Sequence, residues 1–179
     1  MLRSKQFAVT LAFLLILLLG LPPAWGQLRV IQHPRGAARP VYLKEVERRI
    51  YQLTNEVRRK SHLPPLFKDD ALVACARAHS NDMLARNFFN HVNPDGKAPQ
   101  ERIAPAYSRT LARAGENIWG GHGFDSSDSK LLSRVIVDSW MTSPGHRANL
   151  LNPDYTHLGV GVSLLGKEIR ATQNFVQRR

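Results

Sequence analysis

Apolar positions change their period several times along the chain, and each change marks an element. Val46, Ile50, Leu53 and Val57 recur at helical spacing, which places them on one face of a helix over Val41 to Ser61. Pro64-Pro65 breaks it. Asp69 then offers an N-cap for a second helix reaching Arg86, with Leu72, Cys75, Ala76, His79 and Met83 as its buried stripe. A loop rich in Asn, Pro and Gly follows, with one helical turn near Gln100 to Ile103. Ala114 to Trp119 reads as a short strand stopped by Gly120-Gly121. Ser126, Ser127 or Asp128 caps a third helix carrying Leu132, Val135, Ile136, Ser139 and Trp140, and Pro144-Gly145 ends it. Two alternating runs close the chain, Leu158 to Leu164 and Ile169 to Phe175, with Leu165-Gly166-Lys167-Glu168 making them a hairpin. Helices on both sides of a small central antiparallel sheet give an α+β fold, a three-layer α-β-α sandwich.

The first 26 residues follow different rules. Arg3 and Lys5 precede an apolar run from Phe7 to Leu21, and Ala24-Trp25-Gly26 supplies small residues for cleavage before Gln27. Pro22-Pro23 cuts the run short of the roughly 20 apolar residues a membrane span requires. The expectation is a cleaved signal over 1–26, a secreted or periplasmic protein, and no stable membrane span afterwards. Residues 27–40 hold Arg29, Arg35 and Arg39 among Pro34, Gly36 and Pro40, with no apolar period, and read as a flexible basic arm. Residues 41–179 are the size of one domain with its own core, expected as a monomer.

Charge narrows the partners. The net charge of +11 falls to +9 once Arg3 and Lys5 leave, and a basic exported surface favours phospholipid or lipopolysaccharide head groups and anionic wall polymers. The basic residues are scattered along the sequence without a basic helix or RNA-binding motif, so nucleic acid is not an expected partner. Cys75 is the only cysteine, which excludes an intramolecular disulfide and leaves stability to the core.

Seven histidines divide by surroundings. His33 lies in the arm and His62 and His122 beside turn residues, all three expected in solvent; His79 lies on the apolar face of the second helix, and His157 precedes a strand within reach of the site. His91 and His146 sit in loops full of turn formers, where backbone packing does not explain an imidazole. Glu116, between Gly115 and Asn117 in a short strand, is a carboxylate best placed if it faces a cleft.

Three segments recur together in one family: Phe88-Phe89-Asn90-His91-Val92-Asn93-Pro94-Asp95-Gly96, Gly115-Glu116-Asn117-Ile118-Trp119, and Ser143-Pro144-Gly145-His146-Arg147-Ala148-Asn149 with Gly159-Val160-Gly161 beyond it. In this order they resemble the CAP superfamily of cysteine-rich secretory, venom-antigen and plant pathogenesis-related proteins (SCP domains), in its compact bacterial form. The resemblance implies the same three-layer fold and a cleft where His91, Glu116 and His146 meet, with Gln173 from the closing strand lining it. Many eukaryotic members carry a second glutamate where this chain has Ser143, so a four-residue metal site is weakened.

Two chemistries remain open for this set. Neutral imidazoles suit zinc or another divalent cation, with Glu116 either a third ligand or the group that orients a histidine. Alternatively, His and Glu form a general acid–base pair. Ser143 near His146 invites a hydrolase acting on peptide or wall material, but no Gly-x-Ser-x-Gly elbow supports it. The leading expectation is a module binding a lipid, a sterol-like molecule or an anionic envelope component. A secreted effector with a vestigial cleft is the third reading.

Overall fold

The computed structural model describes residues 40–107 and 111–178. The signal segment, and all of the arm but Pro40, lie outside the described residues.

The chain does not begin as a helix at Val41. Val41–Tyr42 is a short strand, β1, paired with Leu164 and Ser163. A β-branched and an aromatic side chain suit a sheet edge better than a first helical turn. Helix α1 (Lys44–Lys60) follows, and the extended backbone imposed by Pro64-Pro65 leads into β2 (Phe67–Lys68). Helix α2 (Asp70–Ala85) is capped as expected, with Asp69 Oδ1 accepting from Ala71 and Leu72 N–H at 2.9 and 3.1 Å. After α3 (Pro99–Ile103), strand β3 (Leu111–His122) runs past both ends of the predicted strand. Asp128 is the cap of α4 (Ser129–Thr142), accepting from Leu131 N–H at 2.9 Å. Pro144 then opens a further helix, α5 (Pro144–Leu150), instead of a loop. Proline suits the first helical position because that N–H would have no intrahelical partner. Strands β4 (His157–Leu165) and β5 (Glu168–Arg178) close the fold as the predicted hairpin, with Gly166 in the left-handed region at φ 61°.

Among the described residues the sheet order is β1-β4-β5-β3, with β2 beside the other end of β4; all pairings are antiparallel except that of β2. Strand alternation sorts β4 between two layers. Leu158, Val160 and Val162 pack with Val46 and Ile50 of α1 and with Ile136 and Trp140 of α4. On the opposite face, a Cβ at Gly161 would lie 2.2 Å from the backbone nitrogen of Arg77, so α2 rests directly on the strand. Ser80 Oγ bonds across this contact to Gly161 O at 2.9 Å. The three-layer α-β-α sandwich is therefore the observed fold. Among the described residues no helix is long and apolar enough to cross a membrane.

Cys75 is half-buried beside Leu72 and Ile103, and burial pushes its thiol pKa up, which makes it a packing residue instead of a nucleophile. Arg58 does more for the fold. It is completely buried and donates to three carbonyls: Pro64 O at 2.9 Å, and Leu150 O and Asn152 O at 2.8 Å. It thereby joins the end of α1 to the turn after α5. Arg58→Ala should lower stability by about 3 kcal/mol or more, because it opens a cavity and strands buried acceptors. Exposed Arg59→Ala should stay within about 0.5 kcal/mol. Urea unfolding of both variants measures the contrast.

Candidate functional site

Glu116 lies near the middle of β3, opposite Asn174 of β5. Its carboxylate is almost wholly buried, with 1% of the side chain exposed. An ionised carboxylate there requires donors on every side, and it has them. Arg102 Nη2 donates to Oε2 at 2.6 Å and His91 Nδ1 donates to Oε1 at 2.8 Å. With its amide turned so that both ends are satisfied, Asn174 Nδ2 also donates to Oε2, at 3.1 Å. Because the carboxylate only accepts, the His91 proton is fixed on Nδ1, and Nε2 is left without a protein partner among the described residues.

Arg102 was not singled out from sequence, yet it holds the site together. Its Nη1 donates to the backbone carbonyls of His91 at 2.7 Å and Lys97 at 2.8 Å. One guanidinium thus grips both the loop that carries His91 and the acid that orients its ring. Helix α3 places it, starting at Pro99 and closed by Glu101 reaching back to Ala98 N–H at 2.7 Å.

Asn117, the next residue, points to the other face of the sheet. Its Nδ2 donates to His146 O at 3.1 Å, and its Oδ1 accepts from Asn149 Nδ2 at 2.9 Å. Asn149 also donates to Glu116 O at 3.1 Å, while Trp140 Nε1 caps Ile118 O at 3.0 Å. These bonds seat α5 along the free edge of β3. His146 therefore belongs to a helical turn and not to a loop, and it is half-buried. Burial, and then the proximity of His91, push its pKa down.

The other predicted residues separate. Gln173 does not open into the cleft. It sits opposite Asn117, is completely buried, and donates to Thr54 Oγ1 at 2.8 Å, because strand alternation turns it toward α1. Ser143 joins α4 to α5, and no hydrogen bond links it to His146 among the described residues. His79 is a core residue, as its position on α2 implied. Its Nε2 donates to Asn90 O at 3.0 Å and lies 3.8 Å from Glu116 Oε1. Its Nδ1 is buried without a partner.

A zinc site built on His91, His146 and Glu116 does not fit this arrangement. Both oxygens of Glu116 are taken by Arg102, His91 and Asn174. Among the described residues no group of three or more His, Cys, Asp or Glu side chains is placed to hold a metal ion. Glu116 instead holds the His91 ring through Nδ1 at 2.8 Å.

The profile of the cysteine-rich secretory protein (CAP) family matches residues 51–176, and the chain belongs to this family. Two Bacillus subtilis proteins, the uncharacterized protein YkwD and the uncharacterized membrane protein YlbC, are each 37% identical over 68% and 74% of this chain. The match covers 44% and 34% of their lengths, so the chain spans less than half of either relative. Among solved structures, an extracellular SCP-domain protein of Bacillus anthracis is 33% identical with a TM-score of 0.62, over 75% of this chain and 41% of that one. An outer surface protein of Borrelia burgdorferi, 22% identical, shares the fold with a TM-score of 0.68 over 79% of this chain and 99% of its own.

Burial lowers the pKa of His79 and of His146 from the ordinary 6.5. A histidine that resists protonation in the folded state contributes stability in full above the unfolded value, and this contribution is lost as pH falls below about 6.5. Urea unfolding between about pH 7.5 and pH 5.5 should therefore show stability decreasing on acidification, with His79 titrating below 6.5 by NMR. An increase would mean that Glu116, 3.8 Å away, holds His79 as a cation.

Proposed function

We propose that this CAP protein is an extracellular binding module. Its cleft, at the free edge of β3, takes a lipid, a sterol-like molecule or an anionic envelope component through His91 and His146. The observation that carries this reading is the state of Glu116. Its oxygens are saturated by protein donors, so its role is to hold the His91 ring by one nitrogen and leave the other for a ligand. The half-exposed His91 and the neutral, half-buried His146 then offer hydrogen-bonding edges on a rigid frame. Geometry favours binding over hydrolysis, since the candidate nucleophile Ser143 has no hydrogen bond to a base among the described residues. The excess of basic residues and the extracellular character of the Bacillus anthracis relative support an envelope ligand.

Native mass spectrometry of the protein recovered from its own envelope tests this. The wild type should carry a bound component that the His91→Ala, His146→Ala double variant loses while remaining folded by circular dichroism, even though loss of the His91 donor to Glu116 lowers its stability. Ser143→Ala should retain it. Retention by the double variant would place the ligand elsewhere, and a hydrolytic activity abolished by Ser143→Ala would favour the hydrolase instead.

A further inference from the structure

Along its outer side, β4 is paired by two short strands that do not meet. β1 bonds to it around Ser163 and Leu164, and β2 around His157 and Leu158. The flanking bonds are Leu43 N–H to Val162 O at 3.0 Å and Asp69 N–H to Leu158 O at 3.1 Å. Backbone groups of alternate strand residues point to the same side, so the N–H and C=O of Val160 face this outer side too. Neither β1 nor β2 extends to them. Val160 is 3% exposed, and peptide groups so enclosed are nearly always paired. Val160 lines a groove of ≈ 210 Å³ between the first halves of α1 and α2.

The walls set two more conditions. Tyr51, Val73 and Leu158 provide apolar surface, while Lys44, Arg48, Lys68 and Arg77 bring four cations against one carboxylate, Glu47. That carboxylate is already occupied by Arg77 Nε at 2.9 Å and Val162 N–H at 3.0 Å. Arg48 is held by Glu45 and Lys68 by Asp70, whereas Lys44 makes no ion pair among the described residues. The groove thus asks for a strand-like N–H and C=O, an apolar group and a negative charge. The end of a peptide chain has all three.

We propose that this groove binds the C-terminal end of an extended peptide. Its last residues add to β4 at Val160, the carboxylate meets Lys44 and Lys68, and an apolar side chain lies on Tyr51 and Val73. The volume falls below the roughly 300 Å³ of drug-sized pockets, which suits one or two residues. The groove sits on the β4 edge of the sheet, and the His91 cleft on the β3 edge, so the two sites are independent.

Isotope-labelled protein titrated with an N-acetyl dipeptide ending in leucine tests the proposal by NMR. The free acid should shift the Val160 amide and leave His91 unmoved, and its C-terminal amide should bind about tenfold more weakly through loss of a charged hydrogen bond. The exposed pair Lys44→Glu, Lys68→Glu should weaken the acid by a similar factor with the spectrum otherwise native. An unshifted Val160, or equal binding of acid and amide, overturns the proposal. So would decanoate or inorganic phosphate binding as tightly as the peptide, the first marking a fatty-acid groove and the second a bare anion site.

Discussion

Two neighbouring residues of one strand fix the relative placement of His91 and His146. Glu116 faces the α2 side of the sheet, where it receives Arg102 and His91, and Asn117 faces the other side, where it receives α5. Because successive side chains of a strand alternate, one dipeptide anchors two elements from opposite layers. Each of those elements carries a histidine. The relative placement of His91 and His146 thus follows from the pleat of β3.

This arrangement also protects the sheet. β3 is an edge strand, and an open edge invites pairing with other chains. Asn149 and Trp140 cover its carbonyls at Glu116 and Ile118, so α4 and α5 close the edge. The buried charge carries a cost. An ion pair such as Glu116–Arg102 gains little over an apolar pair of equal volume, but removing one partner leaves the other stranded. Arg102 Nε and His79 Nδ1 are already buried without partners, so the network has little slack. Arg58 repeats the theme away from the site, with carbonyls in place of an acid.

Long periodic segments and residues out of place in loops were legible in the sequence. The stripes of α1, α2 and α4 and the alternation of β4 and β5 each span enough residues for the period to show. His91 and Glu116 stood out because turn formers surround them, and the family resemblance joined them to His146. β1 and β2 escaped because two residues carry no period. Pro144 reads as a terminator, although proline also begins helices, and so α5 does not show in the sequence. Gln173 reads as a cleft residue only if strand parity is ignored, since it alternates with Asn174 and turns to the other face of the sheet. Arg102 gave the weakest sign, a charge within one short turn; only the three-dimensional contact with Glu116 reveals its role. A signal was nonetheless there, since Glu116 needed a cation and Arg102 lies in the loop region that links it to His91.

The dependence of the site on Glu116 is open to direct measurement. Urea unfolding of Glu116→Gln should show a loss of about 3 to 5 kcal/mol, since Arg102 would keep its charge in a buried setting without a counter-charge. Adding Arg102→Met should recover part of that loss, as expected for two partners in contact. A Glu116→Gln protein as stable as the wild type within about 0.5 kcal/mol would contradict the account, for it would make Glu116 an exposed-type cleft residue and leave the placement of His91 to its loop alone.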